Sequence, residues 1–72
     1  MPYSSSQVLK ALESAGFVAT SQRGSHLKLK RTVAGVTRTV IVAHPSREIP
    51  LGRLASILRQ AGLSRAEFEA YL

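Results

Sequence analysis

The densest chemistry in the chain is the stretch Arg23-Gly24-Ser25-His26-Leu27-Lys28-Leu29-Lys30. An imidazole exchanges a proton near neutral pH. Lysine and arginine hold phosphate, and a serine hydroxyl donates to it. Leu27 and Leu29 alternate with His26, Lys28 and Lys30, and strand side chains alternate with a period of two. With the leucines in the core, the imidazole and both ammoniums share the opposite, exposed face. The reverse placement would expose both leucines and bury two unpaired charges. Gly24 lets the backbone turn tightly and approach a phosphate, and Ser25 adds a hydroxyl beside it. The chemistry that suits this set is phosphodiester cleavage in RNA. His26 moves a proton, while Arg23, Lys28 and Lys30 hold the backbone and offset charge as it builds on phosphorus. The 2′-hydroxyl of RNA is its own nucleophile, so this chemistry calls for no metal and no cofactor.

His44 is the second imidazole. It precedes Pro45, which reads as a loop residue; it becomes a second acid or base if its strand lies beside that of His26. Two histidines in a chain with no aspartate and no cysteine make a poor metal site. The Ala61-Gly62-Leu63-Ser64 turn resembles the centre of a helix-turn-helix, but the following helix is short and carries Glu67 and Glu69, which repel phosphate. Phe68 and Leu72 on that helix read as core.

Positioning these residues requires a helix, a three-stranded antiparallel meander, and two more helices. Ser4 and Gln7 form a capping box ahead of an apolar stripe of Val8, Leu12 and Ala15, and Gly16 ends the helix. Strands are predicted over 17–22, 25–31 and 37–43, with turns at Arg23-Gly24 and around Gly35. The third strand carries Val40, Ile41 and Val42, so one face should be covered and the other partly so. A second helix starts near Pro50, runs through Leu51, Leu54, Ile57 and Leu58, and stops at Gly62. Ser64 and Glu67 cap a short third helix. Helices on one face of the sheet leave the other free.

The chain has 72 residues, which suggests one domain spanning 1–72. Ten Lys and Arg against four Glu give a net charge of +6, and no acidic residue lies between Ser14 and Arg47. A one-signed middle is a footprint for nucleic acid or an acidic protein. No apolar run reaches the ~20 residues of a membrane-spanning helix, and the N-terminus lacks the pattern of a secretory signal, so a cytoplasmic location is expected. Two other readings use the same basic face: a non-catalytic RNA-binding module, and an interaction protein for an acidic partner.

Several ordered motifs resemble one known family. They are Val8-Leu9 and Leu12 ending in Gly16-Phe17, then Arg23-Gly24-Ser25-His26, then the β-branched strand ending near His44. The run Glu48-Ile49-Pro50-Leu51-Gly52-Arg53-Leu54, continued by Ile57-Leu58-Arg59-Gln60-Ala61-Gly62-Leu63-Ser64, is the most specific. The set resembles the HicA toxins of bacterial toxin–antitoxin pairs and covers almost the whole chain. The departures, Val42-Ala43 in place of Val-Pro and Pro45 in place of Gly, flank His44 and not His26. The resemblance implies an α+β fold like a double-stranded-RNA-binding domain. It implies an mRNA-cleaving endoribonuclease whose catalytic histidine is His26, a cognate HicB-type antitoxin that covers the same surface, and a free toxin that is monomeric.

Overall fold

A computed structural model describes residues 3–72. Helix α1 (Ser5–Ser14) is followed by strands β1 (Val18–Arg23), β2 (His26–Val33) and β3 (Val36–Ala43), then by helices α2 (Leu51–Ala61) and α3 (Arg65–Ala70). The strands form one antiparallel sheet in the order β1-β2-β3. This is the α+β arrangement of a double-stranded-RNA-binding domain, as expected.

Local chemistry sets most boundaries. Ser4 accepts from the Gln7 amide while the Gln7 side chain accepts from Ser4 N–H, closing the capping box of α1. At the other end Gly16 N–H donates to Glu13 O and Phe17 N–H to Leu12 O, the Schellman pair that satisfies the last carbonyls. That pair holds Phe17 outside β1, so the strand starts one residue later than predicted, and Phe17 packs in the core. Gly62 and Leu63 end α2 through the same two bonds, to Arg59 O and Leu58 O. Pro50 caps α2 from outside the helix: its ψ of 145° is extended, and its carbonyl accepts from Leu54 N–H.

The core lies between the helices and one face of β2 and β3. Val8 and Leu12 of α1, Leu29 of β2, and Val40 and Val42 of β3 are fully buried. Leu54 and Ile57 of α2 and Phe68 of α3 close it. Phe68 is therefore core, whereas Leu72, past the end of α3, is 48% exposed; Glu67 is taken up in the Ser64 capping box, which removes the helix-turn-helix reading.

The two edges of the sheet differ. On β3, Gln60 of α2 accepts from the Ile41 N–H at 3.4 Å. β1 pairs only with β2, and all six of its residues are exposed. No helix of the described residues is long and apolar enough to cross a membrane.

Candidate active site on the open sheet face

Leu29, Val40 and Val42 face the helices, so the alternate residues face out. His26, Lys28 and Lys30 of β2 stand on that open face, opposite Ala43, Ile41 and Thr39 of β3 in register. The predicted alternation holds: Leu29 is buried and Leu27 is partly buried against the core, while His26 and Lys30 are exposed and Lys28 is half-buried.

β1 completes the face through an irregularity. Val18 pairs with Lys30 and Ala19 with Leu29, but Ser21, not Thr20, pairs with Lys28. Thr20 is the extra residue of a β-bulge, and its hydroxyl donates to Lys28 O at 3.3 Å. The single insertion shifts the alternation by one. Val18 before the bulge and Ser21 and Arg23 after it thus share the open face, and Arg23 is directly across from His26. Proximity in sequence groups Arg23 with His26 but puts it in the turn, and nothing in the sequence marks Ser21. The turn itself is Gly24-Ser25. Gly24 takes φ +55° and Ser25 does not, the sign pattern of a type II′ hairpin with glycine first.

Ser21, Arg23, His26, Lys28 and Ile41 line one open concavity of about 540 Å³. Ile41 is 44% exposed and forms its apolar flank, which is how β3 is left partly uncovered. Gly24 and Ser25 border the His26 end. A Cβ on Gly24 would meet nothing within 4 Å, so a ligand can approach that backbone freely. Lys30 lies on the same face one pair further along, outside the concavity. Glu13 lies in α1, Glu48 in the loop after β3, and Glu67 and Glu69 in α3, so no carboxylate stands on the sheet. The one ion pair among the described residues is Arg65–Glu69, at 3.2 Å on α3. The cations of the face are thus unneutralised, which suits a polyanion.

Arg31, the next residue of β2, is on the other side. It pairs with Arg38 on the helix face. Its guanidinium donates to Ala15 O at 2.8 Å and lies 5.7 Å from the Phe17 ring centroid. It caps α1 and ties that helix to the sheet.

His44 is also diverted. Its backbone N–H donates to Ser25 O at 2.7 Å, but its imidazole turns to the helix side, with Nδ1 2.8 Å from Ser5 Oγ. Ser5 Oγ also accepts from Ser46 N–H at 2.8 Å, and Ser5 is 1% exposed. His26 and His44 therefore lie on opposite faces of the sheet. No group of three or more His, Asp or Glu residues that could hold a metal ion occurs among the described residues.

Fold and face together define a small α+β domain that presents one histidine on a cationic, acid-free sheet. Residues 5–63, which contain every residue of this face, match the family described as HicA toxin of bacterial toxin-antitoxin. The chain belongs to that family, and a toxin of this kind is paired with an antitoxin. No curated protein matches the chain.

Proposed function

We propose that the protein is a toxin endoribonuclease that binds and cleaves mRNA on the open face of its sheet. The observation that carries this reading is the placement of His26 opposite Arg23 and beside Lys28 in one concavity free of carboxylates. His26 takes the proton from the 2′-hydroxyl, that oxygen attacks the adjacent phosphorus, and no metal enters. Arg23, Lys28 and Lys30 hold the phosphates, with Gly24 and Ser25 shaping the end of the site. Membership of a toxin–antitoxin family supports a HicB-type antitoxin that neutralises the toxin by covering this face. The remaining parts of the reading are a single domain over 1–72, a monomeric free toxin and action in the cytoplasm.

Induced expression of wild type and His26→Ala, followed by extraction of total mRNA, tests it. Growth arrest with fragmented transcripts is expected for wild type alone. In vitro, His26→Ala should lose roughly 10²–10⁴-fold in cleavage rate while keeping most of its RNA affinity. RNA binding by wild type with no product would replace this reading with that of a binding module.

A further inference from the structure

Cleavage of RNA by its own 2′-hydroxyl moves two protons. One leaves the attacking oxygen and one must reach the departing 5′-oxygen. His26 accounts for the first. His44 cannot account for the second, because its ring is engaged with Ser5 on the opposite face. Tyr3 donates to Glu69 beside α3, and Tyr71 ends that helix, both away from the open face.

The concavity itself offers three other polar groups: Ser21, Arg23 and Lys28. A serine hydroxyl and a guanidinium both keep their protons at neutral pH and give them up too reluctantly to serve as acids. An alkylammonium is protonated at neutral pH and is the strongest acid of the three. Lys30 lies outside the lining. Resting on the ribonuclease reading above, we propose that Lys28 is the proton donor to the leaving 5′-oxygen, acting with His26 as the base.

Lys28 stands two residues from His26 on the same face, flanked in register by Ser21 and Ile41. It is half-buried where His26 and Lys30 are exposed. With no carboxylate on the sheet, nothing competes for its proton. In the step, the His26 imidazole takes the 2′-hydroxyl proton as the O2′–P bond forms. The P–O5′ bond breaks, and its electron pair takes a proton from the Lys28 ammonium. The products are a 2′,3′-cyclic phosphate and a 5′-hydroxyl. Water then returns a proton to the Lys28 amine and removes one from the imidazolium.

The test is a pair of matched oligoribonucleotides around a site that wild type cuts, one with the natural 5′-oxygen and one with sulfur in its place. A thiolate leaves without protonation. Lys28→Met keeps the stem and removes the proton, and Lys28→Arg keeps the charge but is a far weaker acid. Both are first shown to be folded by circular dichroism. On the oxygen substrate both should fall about 10²–10³-fold, and on the sulfur substrate both should run within about tenfold of wild type. An equal loss on both substrates, or full activity of Lys28→Arg on the oxygen substrate, overturns the assignment. If wild type binds RNA but no site that it cuts is found, the ribonuclease reading itself fails and this assignment falls with it.

Discussion

The Ser5 hydroxyl holds the His44 imidazole at 2.8 Å, across a sequence separation of 39 residues. Ser5 Oγ accepts from Ser46 N–H and shares a second hydrogen bond with His44 Nδ1, so one hydroxyl serves both groups. The start of α1 is thereby fastened to the loop that follows β3, a junction that Ser5 N–H to Ser46 O and Ile49 N–H to Tyr3 O extend.

Removing that hydroxyl should cost stability and not chemistry. Ser5→Ala leaves the part-buried Ser46 amide and an imidazole nitrogen without that partner, a loss of about 1–2 kcal/mol. Denaturant unfolding should show a lower midpoint at unchanged slope, while the cleavage rate per folded molecule stays at the wild-type value. His44→Asn, which keeps a hydrogen-bonding group near Nδ1, should be less destabilised than His44→Ala. A selective loss of cleavage in a fully stable His44 variant would return that residue to the active site.

Deleting Thr20 should undo the bulge. Counted from the Gly24-Ser25 turn, Arg23 would still face His26 and Ser21 would still face Lys28, so the open face keeps both. The deletion should leave RNA binding and its salt slope near wild type, whereas Arg23→Ala should lower the slope by about 0.7 for the single-strand phosphate contact it loses. Thermal stability should change little, because no residue of β1 is buried. Binding measured at several salt concentrations, beside a melting curve, checks both halves.

The helix stops and caps were legible in the sequence because they depend on residues three to five apart. Ser4 with Gln7, Ser64 with Glu67, and the glycines at 16 and 62 each specify their own geometry. The alternation of His26 with its leucines was legible for the same reason. The bulge was not, because which of Thr20 and Ser21 faces Lys28 depends on a neighbouring strand. The diversion of Arg31 to Ala15, and of His44 to Ser5, depends on which end of which helix arrives beside it. A list of cations cannot supply that.

The β2–β3 turn carries strain that can be relieved. Ala34 sits at φ +52° and Gly35 at +77°, the two positive values of a type I′ hairpin. Alanine in that region costs about 1–2 kcal/mol. Ala34→Asn creates the Asn-Gly pair favoured there and should stabilise the fold by about 0.5–1 kcal/mol. Thermal melting reads this directly, and a neutral or negative change would contradict it.

The cap of α3 should confer a dependence on acid. Hydrogen bonds from the Ser64 backbone and side chain hold the Glu67 carboxyl below its ordinary range. A depressed carboxyl stabilises the fold above its unfolded pKa, and that contribution is lost as pH falls through the folded value. Glu67→Gln keeps a side-chain acceptor without the titration, so its melting temperature should fall less between pH 7 and pH 3. Parallel melts of the two proteins across that range, with identical slopes, would exclude the cap as a source of acid sensitivity.

β1 supplies Ser21 and Arg23 to the open face and gives nothing to the interior. Inheritance can therefore rewrite that strand with little penalty to folding. Copies of such a gene are free to diverge there in which molecules they recognise, while the residues that hold the shape stay as they are.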